Sequence, residues 1–183
     1  NKYQKLFNLC SKLMLQIVEG KKPVIAKVHG AAYAAGCQLV ASCDLAYASN
    51  LAKFATPGVN IGLFCSTPMV AISRNLTNKH SMEMLLTGEL ISSDKAAKIG
   101  LINDVIEINE LKDFVLDRAQ KISKKSSVTL KIGKEAFYKQ LDMKLSDAYD
   151  YASKVMVQNM LKLDAKEGID AFINKREPNW KDK

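Results

Sequence analysis

Apolar residues recur every three to four positions over the first stretch of the chain: Tyr3, Leu6, Phe7, Cys10, Leu13, Met14, Ile17 and Val18. That spacing predicts a helix over 2–19 with one apolar face, ended by Gly20. After Pro23 the pattern changes. Residues 24–28 form a short β-branched run, read as a buried strand, and a turn of small residues follows from Gly30 to Gly36. The segment 35–43 reads as a tight helix packed on that strand, 44–49 as a second strand and 53–55 as a short third. Helical spacing returns at 66–76 and 79–86. Ser92 is placed to cap a short helix over 93–98 that Gly100 stops, and 102–106 is a last strand. Beyond that the pattern is helical throughout, over 109–124, 127–141, 145–162 and 165–175, with Lys124-Lys125-Ser126-Ser127 as a hinge between two helices. Strands alternating with helices imply right-handed β-α-β crossovers and a parallel sheet. The expected organisation is an α/β part over 1–106 and an all-α part over 107–183.

Composition narrows the function classes. A chain of 183 residues that is 48% hydrophobic can bury a substantial core. No apolar run reaches the roughly 18–20 residues a membrane span needs, so no membrane association is expected. The first twenty residues lack an uninterrupted apolar stretch and a small-residue cleavage site, which argues against a secretory signal. The four cysteines, Cys10, Cys37, Cys43 and Cys65, are irregularly spaced, with no CxxC pair and no Cys/His cluster. Neither a metal site nor a disulfide framework is expected, and reduced thiols point to a bacterial cytoplasm or a mitochondrial matrix. The formal net charge of +8 is spread along the chain and suits an anionic ligand. Nucleic acid is disfavoured: aromatics make up only 7% of residues, and the lysine-rich 121–134 segment has none interleaved.

The turn Gly30-Ala31-Ala32-Tyr33-Ala34-Ala35-Gly36 is the most chemical feature. Small residues at the start of a helix let main-chain N–H groups approach a ligand, which is how an oxyanion hole is built. The plainer reading is close helix–strand packing. Other candidates are weaker. Two histidines, His29 and His80, do not suffice for a Ser/His/Asp set. Ser66 is read as the cap of the helix that follows it, and Cys65 as a small apolar pocket liner.

The segments KPVIAKVHG, AAYAAGCQLVASCD, FATPGVNIGL, MEMLLTGELISSDKAAKIGLINDVI and EGIDAFINKREPNW, in that order, resemble the enoyl-CoA hydratase/isomerase (crotonase) superfamily. The resemblance implies a crotonase-like ββα spiral core followed by an all-α trimerisation region, and an acyl-CoA thioester as substrate or ligand with no cofactor. It also implies self-association as a homotrimer or a dimer of trimers. Typical members are longer at the N-terminus, where strands and a second oxyanion N–H are supplied, so a truncated form of a longer protein is expected. Ala35 matches the residue whose N–H forms half of the oxyanion hole. Tyr33, Gly36, Pro57, Cys65 and Ser66 match its pocket. The two glutamates that hold and deprotonate water in hydratases correspond here to Gln38 and Gly58. A glutamine cannot take a proton at neutral pH and a glycine has no side chain, so ordinary hydration is expected to be lost or severely reduced. Phe172 and Lys175, three apart and read as sharing a helix face, match positions that reach the CoA of a neighbouring subunit. The faces carrying Tyr149, Ala152, Met156, Met160 and Leu163 are candidates for the subunit interface. Two further readings remain open: a non-catalytic trimeric scaffold, favoured if Tyr33 or Phe64 buried the pocket, and an RNA-binding member of the fold.

Overall fold

A computed structural model describes residues 1–182. Two compact units emerge: Asn1–Val18 with Val24–Arg118, and Glu19–Pro23 with the chain from Ala119 onward.

The first unit opens with α1 (Lys2–Val18), whose Met14 and Ile17 are buried as the apolar face predicts. Next come β1 (Ile25–Val28), β2 (Ala31–Tyr33), α2 (Ala35–Ser42), β3 (Leu45–Ser49) and β4 (Lys53–Ala55). A single 3-10 turn, Pro57–Ile61, leads to α3 (Ser66–Ile72) and α4 (Asn78–Thr87). The unit continues with β5 (Ile91–Ser92), α5 (Ser93–Lys98) and β6 (Asp104–Ile106). The division between the units falls within α6 (Leu111–Ser123).

The expected single parallel sheet is two three-stranded sheets. In one, β1, β3 and β6 run parallel in that order, with Ile25 opposite Leu45 and Tyr47 opposite Asp104. In the other, β2 pairs parallel with β4, and β4 pairs antiparallel with β5. The chain passes to the second sheet at His29-Gly30, returns through α2, and passes over again between Ser49 and Lys53, so part of the predicted turn is in fact the strand β2. A run of only three residues, two of them alanine, carries too little pattern to show as a strand.

Small side chains draw the layers together. Cys37 of α2, Ala48 of β3, Ala52 and Ala96 are all fully buried, and Phe54, Ile72 and Met84 join them in one apolar cluster. Each of these large residues contributes about 1.5–3 kcal/mol by leaving water. A smaller cluster joins Tyr47 to Leu111 and Val115. Tyr47 meets Phe114 edge-on at 5.1 Å, and the Arg118 guanidinium lies 4.8 Å from the Phe114 ring centre. The helix stops are as predicted: the Ser92 hydroxyl accepts from Lys95 N–H, and Gly100 turns left-handed at φ 88°. Among the described residues no helix is long and apolar enough to cross a membrane.

The second unit holds the end of α6, then α7 (Ser127–Gln140), α8 (Leu145–Met160) and α9 (Leu163–Ile173). Ser126 caps α7 by accepting from Thr129 N–H at 3.2 Å. The tail beyond α9 is pinned from inside. The buried Asp164 carboxylate accepts from the N–H groups of Lys181 and Asp182, and Trp180 donates its indole N–H to the Lys124 carbonyl at 2.8 Å.

Candidate functional site

Strand pairing assembles the candidate residues of the first unit. Tyr33 stands opposite Ala55 in the β2–β4 ladder, and Ala34 N–H donates to Ala55 O at 2.9 Å. Pro57 and Gly58 start the 3-10 turn two residues later, so the β2–α2 turn and the Pro57–Ile61 turn lie side by side. Packing of α2 on α3 brings Cys37 toward Cys65.

Ala34 is the hinge of the first turn. It sits at φ 46°, ψ −112°, a conformation that costs an L-residue strain, and it forms the N-cap of α2. The kink starts the helix abruptly. Ala35 is exposed at its first position, and its N–H donates to no acceptor among the described residues. A Cβ added at Gly36 would meet nothing within 4 Å, so there is open space beside the first turn of α2. The positive end of α2 faces the same opening. A cleft of about 430 Å³ runs beside β1 and α2, lined by Val28, Ala32, Gly36, Leu39 and Val40 among others. Gly36 is the one predicted site residue that lines it.

Gln38 is buried, 4% exposed, and its Oε1 accepts from the Cys10 thiol of α1 at 3.6 Å. Its amide oxygen is thereby engaged with α1. Sequence reasoning placed Cys10 on the apolar face of α1 but missed this partnership. Gly58 is tightly enclosed. A Cβ there would lie 2.6 Å from Leu63 O and 2.9 Å from Cys65 Sγ, while Leu63 N–H donates back to Gly58 O at 2.9 Å. The loop closes on itself where a side chain would emerge.

Cys65 is buried and forms the N-cap of α3. The expected capping role of Ser66 is not observed: it occupies the first helical position, and its hydroxyl donates to Phe64 O at 3.3 Å. Burial, and then the neighbouring charge of Cys65, push the Cys37 thiol up to about 12. Tyr33 and Phe64 are 40% and 42% exposed, so neither plugs the site. None of the residues brought together here is acidic.

In the second unit, Phe172 is 84% exposed near the end of α9. Lys175 lies beyond the helix, at φ 50°, so the two do not share a helix face as expected. The helix stops at Ile173 because Asn174 and Lys175 turn out of it. Across the described residues no cluster of His, Cys, Asp and Glu could hold a metal ion.

Set beside known proteins, this two-sheet ββα core with its helical second unit falls into a defined class: the chain belongs to the enoyl-CoA hydratase/isomerase family, whose model matches residues 1–183. Among individual relatives, it is 49% identical over 178 residues to the rat and human proteins named enoyl-CoA hydratase domain-containing protein 3, mitochondrial. Those alignments cover 97% of this chain and 59% of each relative, so the chain spans about three-fifths of their length. The solved human protein of that name superposes with a TM-score of 0.95 at 49% identity, over 97% of this chain and 70% of that one. An enoyl-CoA hydratase structure from Mycobacterium smegmatis also gives 0.95, at 47% identity, over 98% and 70% respectively. The crotonase-like fold is thereby established.

Proposed function

We propose that the chain binds an acyl-CoA thioester with the Ala35 N–H on its carbonyl oxygen, and that it does not carry out ordinary enoyl-CoA hydration. The observation that carries this reading is the unpaired Ala35 amide, presented over open space by the strained Ala34 beside a turn with no carboxylate. An N–H aimed at an oxygen that gains negative charge stabilises an enolate-like state, and one such donor is typically worth about 100- to 1000-fold in rate. Hydration needs in addition a base that takes a proton from water. By resemblance the two glutamates of hydratases fall at Gln38 and Gly58. The first is neutral and engaged by Cys10, and the second is closed off by Leu63 and Cys65. Any turnover would run through a different thioester-enolate reaction of the lyase or isomerase class.

The basic balance, 27 Lys and Arg against 19 Asp and Glu, favours a ligand carrying CoA's phosphates. Phe172 and Lys175 are the proposed contacts to the CoA of a neighbouring subunit. Exposed Tyr149, Met156, Met160 and Leu163 support self-association as a trimer or a pair of trimers. The mitochondrial names of the relatives support a matrix location, with a bacterial cytoplasm as the alternative. The non-catalytic scaffold is the second reading. The exposure of Tyr33 and Phe64 weighs against it, because a plugged pocket was its mark.

Isothermal calorimetry with crotonyl-CoA, run beside a spectroscopic assay for loss of the enoyl double bond, tests the proposal. Saturable heat without hydration is expected. Absence of heat at millimolar ligand would remove the binding claim, and rapid hydration would remove the claim about the missing base.

A further inference from the structure

The end of α9 is built against its own stability. The N–H of Arg176 donates to Ala171 O at 3.0 Å and the N–H of Lys175 to Phe172 O at 3.3 Å. That pair of bonds is the Schellman closure, in which the residue at the position of Lys175 adopts a left-handed conformation and is usually glycine. Here it is a lysine at φ 50°. A side chain at this angle is strained, and the strain persists because the surroundings impose it.

The Arg176 guanidinium forks onto Glu167, with Nη1–Oε1 at 2.6 Å and Nη2–Oε2 at 3.0 Å, and its Nη2 also donates to Asp170. Glu167 accepts a further bond from Asn179 N–H at 2.7 Å. Asn174 Nδ2 ties back to Asp170 O at 3.0 Å. These bonds fix the residues on either side of Lys175 and leave it exposed, with no ion-pair partner among the described residues. Phe172, one turn earlier, is left 84% exposed. An unpaired cation and a bare aromatic ring thus stand three residues apart at a turn that a glycine would form at lower cost.

We infer that Arg176, clamped by Glu167 and Asp170, is a positioning residue that holds Lys175 and Phe172 toward the phosphate and adenine end of the ligand. This rests on the acyl-CoA reading above. It goes further in assigning the work to a clamp that touches no ligand, and in explaining why a lysine occupies a glycine position.

The test uses two ligands, crotonyl-CoA and crotonyl-pantetheine, the second lacking the adenosine and its phosphates. Lys175→Gly relieves the strain and removes the charge. It should raise the melting midpoint by about 1–4 °C and weaken crotonyl-CoA binding by about 2- to 5-fold, leaving crotonyl-pantetheine unchanged. Arg176→Ala should weaken crotonyl-CoA to a similar extent with crotonyl-pantetheine again unchanged, and Arg176→Lys, which cannot fork onto Glu167, should not rescue it. Should Arg176→Ala fail to fold, Arg176→Lys, which keeps the charge but not the fork, carries the test in its place, and full crotonyl-CoA affinity in that folded variant overturns the inference. Unchanged crotonyl-CoA affinity in Lys175→Gly, or equal weakening of both ligands in a folded Arg176→Ala, overturns the inference while leaving the acyl-CoA reading intact. No binding of crotonyl-CoA by the parent chain overturns both.

Discussion

Replacing Gly58 by alanine asks whether this loop has room for any side chain. The added carbon would sit 2.6 Å from Leu63 O and 2.9 Å from Cys65 Sγ, well inside contact distance. The sulfur could rotate away. The carbonyl cannot without disturbing the loop that Leu63 N–H closes onto Gly58 O. Overpacking of this kind costs about 1–3 kcal/mol, so Gly58→Ala should lower the urea midpoint accordingly. Gly58→Ala with Cys65→Ala should recover part of the loss, because the carbonyl contact remains. The functional counterpart is Gln38→Glu with Gly58→Glu, which puts carboxylates at the two positions the resemblance gives for the hydratase glutamates. Since the loop has no space for the second, hydration of crotonyl-CoA should remain at background. A Gly58→Ala protein within about 0.5 kcal/mol of the parent, or vigorous hydration by the double glutamate variant, would refute the steric argument.

Other outcomes follow from the same geometry. Ala34→Gly should stabilise the protein by about 0.5–1 kcal/mol in urea unfolding, since glycine adopts the φ 46° of that residue without strain. Cys37, fully buried with its thiol raised to about 12, should stay unalkylated by iodoacetamide at pH 8 while the partly exposed Cys10 and Cys43 react, as read by peptide mass spectrometry. Hydrogen bonds from Arg176, then from Asn179 N–H, hold the Glu167 carboxyl down at about 2. For Asp164, burial opposes the charge, but bonds from Ser126, Lys181 N–H and Asp182 N–H outweigh it and lower its carboxyl too. Both groups are depressed, so the unfolded chain binds more protons as acid is added. Their stabilisation is complete above about pH 4.5 and drains away toward pH 2. Thermal melts over that range should flatten in Glu167→Gln.

Much of the architecture was legible from pattern alone. The apolar face of α1, the Ser92 cap and Gly100 stop around α5, and the run of C-terminal helices all rest on local periodicity or capping chemistry, which a sequence carries explicitly. The division into two sheets was not legible. β2 and β5 are three and two residues long, too short for a period, and their partners are distant in sequence. The candidate site divides in the same way. At Gln38 and Gly58, the positions the resemblance gives for the hydratase glutamates, the argument against a general base rests on residue type and needs no coordinates. The strain at Ala34, the engagement of Gln38 by Cys10 and the closing of the loop over Gly58 depend on backbone angles and tertiary approach. Ser66 and Lys175 were misplaced for a related reason: helix ends are settled by a few hydrogen bonds that periodicity does not report.

β1 and β2 each lie at the border of their sheet, with hydrogen-bonding groups on one side unclaimed by any strand among the described residues. Nearby, Leu6, Leu9, Leu13 and Leu15 of α1 are about half exposed or more. Such borders recruit other chains into mismatched ribbons unless a charge interrupts them. Lys27, at the middle of β1 and open to solvent, is the one ionic interruption on either strand. Neutralising Lys27 would remove that interruption from β1.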